Sequence, residues 1–138
     1  MIHHTVQIRV RYAETDKMGY VYYGNYASYL EVARVETFRA IGYSYKTLED
    51  EGTMMPVSEY KIKYLKPAFY DDLLTVHVYI KNKPGVRIVF EYEIYNEQNT
   101  LLSVAETVLV FIKSSNGKPC LPPESFQKIL NAYFEQQT

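Results

Sequence analysis

The stretch "NYASYLEVARVETFRAIG", residues 25–42, decides how this chain folds. Tyr26, Tyr29, Leu30, Ala33, Thr37, Ala40 and Ile41 recur at steps of three and four, which lines them up as one apolar stripe on a helix. Asn25, in front of the stripe, is an expected N-cap, and Gly42 an expected C-terminal stop. At 1.5 Å per residue such a helix is about 25 Å long. Val32, Val35 and Phe38 lie off the stripe, so a second surface of the helix is expected to be covered, by a wrapped sheet or a neighbouring subunit. Glu31 and Arg34, three residues apart, are expected to pair on a solvated face.

Outward from the helix the chain reads as strands. "TVQIRVRY", residues 5–12, alternates Val6, Ile8, Val10 and Tyr12 with Gln7, Arg9 and Arg11, the period of a half-buried strand. On the other side, "YSYKTLEDEG" predicts a short second helix ending at Gly52, and "MMPVSEYKIKYL", residues 54–65, one strand. "LLTVHVYIKNK" sets Leu74, Val76, Val78 and Ile80 against Thr75, His77, Tyr79 and Lys81. "VRIVFEYEIY" does the same with Val86, Ile88, Phe90, Tyr92 and Ile94 against Arg87, Glu91 and Glu93, and Pro84-Gly85 joins the two as a hairpin. "LLSVAETVLVFIK" is a further strand, and "PPESFQKILNAYF" a terminal helix that buries Phe126, Ile129, Leu130 and Phe134. A strand, a long helix and then a run of antiparallel strands predict an α+β fold with one helix laid against one sheet. Tyr79 and Tyr95 point to the far face of that sheet, and self-association is the simplest way to cover them.

Composition narrows the function. The 138 residues fit a single domain, 1–138, and the 15 tyrosines with no tryptophan suit half-buried faces and subunit contacts. A net charge of −1 leaves no broad basic surface for nucleic acid. No apolar run is long enough to span a membrane, and "MIHHTVQIRV" has no signal-peptide core, so a cytoplasmic location is expected. Cys120, alone, excludes an intrachain disulfide and is read as a thiol without a role. His3 and His4 fall in a terminus expected to be mobile, and His77 stands alone in its strand. Zinc-binding, serine-hydrolase and phosphate-loop motifs do not occur.

What remains is the loop "ETDKMGYVYYGNY", residues 14–26, which places Asp16 just before the helix mouth. There the free N–H groups of the first turn and the positive end of the macrodipole polarise a bound carbonyl. A carboxylate beside them can activate water or attack that carbonyl. Gly19 and Gly24 suit tight turns and close approach of backbone to a ligand. Taken alone, these residues leave two readings of Asp16 open, a turn cap and a catalytic acid.

"RVRYAETDKMGYVYYGNYASYLEVAR", residues 9–34, resembles the signature of hotdog-fold acyl-CoA thioesterases of the 4-hydroxybenzoyl-CoA thioesterase type, and "FYDDLL", residues 69–74, resembles that family's approach to its third strand. The resemblance implies an antiparallel sheet wrapped around one long central helix, with Asp16 as the essential aspartate. It makes Tyr23 the residue whose backbone N–H binds the thioester carbonyl. Relatives carry Tyr or His there, so a mechanism that needs an imidazole is not open to this chain. Tyr20 departs from the usual Ile or Val and is expected to reshape the acyl pocket, for which Met54, Met55 and Val57 are further candidates. Asn25 orders the oxyanion-binding turn, and Glu31 is a candidate for holding the attacking water. Lys81, Lys83 and Arg87, around the Pro84-Gly85 turn, are candidates for the coenzyme A phosphates. The resemblance further implies hydrolysis of an acyl-CoA substrate without metal or redox cofactor. It implies a homodimer or homotetramer whose sheets join edge to edge, with sites at the subunit interface. An acyl-carrier-protein thioesterase, a non-catalytic acyl-thioester binder and a purely structural oligomer are the alternatives. Whether Asp16 is base or nucleophile stays open.

Overall fold

The computed structural model describes residues 1–134. Strand β1 (Ile2–Arg9) leads through a single 3-10 turn (Tyr12–Glu14) and the Asp16 loop to a second 3-10 turn (Tyr23–Asn25), which runs directly into helix α1 (Tyr26–Ala40). There follow α2 (Tyr45–Asp50), β2 (Thr53–Met54), β3 (Val57–Tyr64), β4 (Leu73–Ile80), β5 (Arg87–Tyr95), β6 (Leu101–Val110), β7 (Ile112–Lys113) and α3 (Glu124–Phe134). Five strands make one antiparallel sheet in the order β1-β4-β5-β6-β3, so β1 and β3 are its edges; β2 and β7 pair separately.

The alternation read from β4 and β5 is what builds the core. Leu74, Val76, Val78 and Ile80 join Ile88, Phe90, Tyr92 and Ile94 in a cluster with Leu30, Ala33 and Phe38 of α1. Burying each large apolar side chain of this kind contributes about 1.5–3 kcal/mol. Along α1 the predicted stripe is buried from Tyr26 through Thr37, whereas Ala40, in the last turn, is exposed.

Several expectations need correction. Phe38 packs on Phe90 of the sheet, as expected, but no neighbouring subunit is needed to cover it: Phe126 of α3 and Tyr45 of α2 close the rest, with ring centroids 4.9 and 5.2 Å away. Val32 stays exposed. The strand read over 54–65 is broken at Pro56, which has no N–H to give a ladder, and the piece before it pairs with β7 instead. The strand read over 101–113 is likewise divided, because Phe111 turns its N–H to the carbonyl of Val86. His3 and His4 belong to β1, which begins at Ile2. His77 is not alone: its Nδ1 lies 3.0 Å from His3 Nε2, and His3 stacks on Tyr79.

Two corrections bear on the helix itself. Asn25 has helical backbone angles and caps nothing with its side chain, since the preceding 3-10 turn occupies the place where an extended cap residue would sit. Nor is Arg34 on a solvated face. It is buried in the core, where its Nη1 donates to the Tyr92 hydroxyl at 3.2 Å, and that hydroxyl lies 2.6 Å from Thr107 Oγ1.

Candidate active site

The loop between β1 and α1 is a small folded unit. Asp16 N–H donates to the carbonyl of Tyr20, and the Gly19 N–H returns to the carbonyl of Asp16. Closing so tight a turn takes Gly19 to φ +80°, the left-handed region that glycine enters without a Cβ penalty. Thr15 bridges to Val21 and Tyr20 to Phe69, which fastens the turn to the segment entering β4. Inside the turn Asp16 Oδ1 accepts the N–H groups of Met18 at 2.8 Å and Tyr20 at 3.2 Å. The cap and the poised acid are therefore compatible: one carboxylate oxygen holds the turn, and Oδ2 makes no hydrogen bond among the described residues.

Glu14 ties this loop to the helix. Its carbonyl accepts Tyr22 N–H and Asn25 Nδ2, each at 2.8 Å. Its carboxylate accepts Arg11 N–H at 2.8 Å, the Arg11 guanidinium at 3.1 Å and the Tyr29 hydroxyl at 2.9 Å. Burial alone raises the Glu14 carboxyl, but the Arg11 backbone, the Tyr29 hydroxyl and the Arg11 charge together outweigh it and hold the group below the ordinary carboxylate range. Burial, reinforced by the same carboxylate, pushes the Tyr29 hydroxyl up.

Between loop and sheet lies a cleft of about 330 Å³. Asp16, Tyr20 and Tyr23 line one side; Tyr26 of α1, Tyr64 at the end of β3 and Lys66 line another. The rings of Tyr26 and Tyr64 meet edge to face at 5.0 Å, and the Tyr64 hydroxyl donates to the Tyr23 carbonyl at 3.4 Å. At the helix mouth the N–H groups of Tyr23 and Gly24 have no hydrogen-bond acceptor among the described residues, whereas the next one, of Asn25, is taken by Tyr22. Tyr23, whose free N–H stands at the positive end of a 15-residue helix, thus lines the same cleft as Asp16, and the Gly24 donor follows it in the chain.

Of the residues singled out in the sequence, the structure gathers Asp16, Tyr20 and Tyr23 here, with Gly19 in the turn that holds Asp16 and Asn25 behind them as a brace. Glu31 is exposed on α1, more than one turn farther along. Val57 lies at the opposite end of β3, seven residues or roughly 23 Å from Tyr64. Arg87 is level with it, paired to Val110 beside the Val57–Leu109 pair, and Lys83 sits in the loop before β5. Within one chain these three do not reach the cleft. Sequence reasoning overlooked Glu14, Tyr64 and Lys66. A lysine ahead of a proline at the end of a strand, "YLKP", is a weak signal, and the pairing of Glu14 with Tyr29 depends on a fold that was not yet known.

No helix among the described residues is long and apolar enough to cross a membrane. Comparison with known proteins places the chain in a family. Residues 10–130 match the model of the thioesterase-like superfamily. The chain is 35% identical over 118 residues to the acyl-CoA thioester hydrolase YbgC of Escherichia coli O6:H1, covering 86% of this chain and 88% of that one. It is 34% identical over 128 residues to the acyl-CoA thioesterase YbgC of Haemophilus influenzae, covering 92% and 90%. Among solved structures, the DHNA-CoA thioesterase of Staphylococcus aureus superposes with a TM-score of 0.91 at 37% identity, over 99% of this chain and 92% of that one. With its antiparallel sheet curled about one long helix and this match along most of its length, the chain belongs to the thioesterase-like superfamily and has the hotdog fold.

Proposed function

We propose that this protein hydrolyses acyl-CoA thioesters in the cleft at the mouth of α1. One observation carries the reading: Asp16, with one carboxylate oxygen uncommitted, and Tyr23, with its N–H free, line that cleft together. The thioester oxygen takes the Tyr23 amide, where the helix dipole favours the negative charge that develops on it. Asp16 then either removes a proton from water as water adds, or adds itself to form an anhydride that water opens; both routes release coenzyme A as the thiol. Tyr20, Tyr26 and Tyr64 give the acyl group aromatic walls. Lys66, which makes no ion pair among the described residues, offers a cation at the rim for a phosphate. The names of the YbgC relatives and of the Staphylococcus aureus thioesterase support acyl-CoA as the substrate.

The working unit in this reading is at least a dimer. β3 pairs on one side only, with β6, and Val57, Tyr60 and Tyr64 along it are 41–47% exposed. Antiparallel pairing of β3 with its own copy continues the sheet and brings the Val57 end of one chain alongside the Tyr64 end of the other. Arg87 and Lys83 of that copy then lie at the cleft end of the joined sheet, where they can meet the nucleotide part of the substrate.

Asp16→Asn tests the proposal. The amide oxygen still accepts Met18 and Tyr20 N–H, so the loop keeps its shape. Thiol release from a panel of short, long, branched and aromatic acyl-CoAs is expected to fall by about 10²–10⁴-fold. Turnover close to that of the unaltered protein would refute the role given to Asp16.

A further inference from the structure

Two free N–H groups stand at the mouth of α1, and each shares a planar peptide with the carbonyl before it. The Tyr23 N–H shares its plane with the Tyr22 carbonyl, which takes the Asn25 N–H at 2.9 Å. The Gly24 N–H shares its plane with the Tyr23 carbonyl, which takes the Tyr26 N–H inside the turn. That second carbonyl accepts one more hydrogen bond, and it comes from the sheet: the Tyr64 hydroxyl donates to it at 3.4 Å across 41 residues of chain. Among the described residues no other hydrogen bond from outside the turn reaches the Tyr23–Gly24 peptide.

The Tyr64 side chain is anchored at its base and along its ring. Its backbone ends β3 opposite Ser103 of β6, and the next two N–H groups, of Leu65 and Lys66, both go to the Leu102 carbonyl at 2.8 and 3.0 Å. Its ring meets Tyr26 edge to face. Partial burial first, and then the phenol of Tyr23, raise the Tyr64 hydroxyl above its ordinary value, so at neutral pH it stays protonated and acts as a donor. A donor on a peptide carbonyl draws electron density toward the oxygen and leaves the N–H of the same peptide more positive. It also fixes the peptide plane, and with it the direction of that N–H. The N–H groups of a helix's first turn point out of its amino end, so the Gly24 N–H faces the same way as the Tyr23 N–H. At 3.4 Å the bond is long for a hydroxyl, and contacts of this kind tighten in the reacting complex.

We propose that Tyr64 is a positioning residue: its hydroxyl, acting through the Tyr23 carbonyl, aims and polarises the Gly24 N–H as a second donor to the thioester oxygen, beside the Tyr23 N–H. The role rests on the thioesterase reading above and adds to it a residue of the sheet edge. It divides one side chain between two tasks, since the ring walls the cleft and the hydroxyl serves the helix mouth.

Tyr64→Phe removes the hydroxyl and keeps the ring against Tyr26. On acyl-CoAs that the unaltered protein turns over, kcat is expected to fall about tenfold, less than for loss of a whole oxyanion donor, with KM within about twofold. The contact also has a signature that does not depend on activity. In the variant the NMR signals of the Tyr23 carbonyl carbon and the Gly24 amide nitrogen are expected to move, while the unfolding midpoint stays where it was. An unchanged kcat, a loss confined to KM, or an unmoved Gly24 signal would overturn the role of Tyr64 and leave the thioesterase reading standing. An unaltered protein that releases no thiol from any acyl-CoA tested would overturn that reading, and this role with it.

Discussion

Removing one hydroxyl tests how the Asp16 loop is held. Tyr29 is 2% exposed and donates to Glu14 Oε1 at 2.9 Å, and Glu14 in turn anchors Arg11, Tyr22 and Asn25. In Tyr29→Phe the ring keeps its place against Tyr26, but the carboxylate loses a buried donor. Hydrogen bonds to charged groups contribute about 1.5–3 kcal/mol. The Glu14 side chain is still 14% exposed and keeps both Arg11 contacts, so the lower part of that range applies, about 1.5–2 kcal/mol. Denaturant unfolding at fixed protein concentration reads this directly as a lower midpoint at unchanged slope. The pH dependence gives a second reading. The folded Glu14 carboxyl is held below its unfolded value of 4.5, so its contribution is fully present above that pH and is lost as pH falls through the lower folded value. The difference between the two proteins should therefore be constant near neutrality and shrink in acid. Tyr29 has the opposite sign: its hydroxyl is raised above 10.0, so the stability it adds is full below that pH and fades in strong alkali. A loss below about 0.5 kcal/mol, or one that does not change between pH 7 and pH 3, would refute the view that Glu14 holds this loop as a charged acceptor.

Two further substitutions separate packing from loop geometry. Phe38→Ala empties a fully buried position between Phe90 and Phe126 and should cost about 3–5 kcal/mol in an unfolding titration; a small loss would mean that α3 does not seal this side of the helix. Gly19→Ala meets no atom within 4 Å, so its cost is backbone strain alone, about 1–2 kcal/mol from φ +80°. Gly19→Asn should be milder, because asparagine tolerates the left-handed region, and thiol release should fall in the same order, Asn above Ala. Equal rates in the two variants would argue against a strained turn around Asp16.

Much of the fold was legible from local pattern. The period of two placed Leu74 through Ile80 and Ile88 through Ile94 on one face, and steps of three and four did the same for Tyr26 through Thr37. The place of Asp16, though not its role, was legible as well, because a strand, an Asp-containing turn and a helix mouth are contiguous in the chain. The failures share a cause. Asn25 was read as a cap because the preceding turn, which makes the helix start earlier, depends on Glu14 reaching Asn25 Nδ2. Arg34 was read as solvated because helical spacing brings Glu31 within reach, whereas its buried seat on Tyr92 and Phe90 exists only once β5 lies beneath the helix. The His3–His77 contact joins residues 74 apart in sequence through strand register.

The amino-acid order alone determined the elements, their buried faces and the acid before the helix, since each is set by neighbours within a few residues. Only the tertiary structure decided what the acid faces. Long-range register places Tyr64 and Lys66 across from Asp16, leaves β3 as an open edge, and seats a buried arginine over β5, two strands in from that edge. These contacts connect residues tens of positions apart, and their free energy depends on a packing arrangement that no local period encodes.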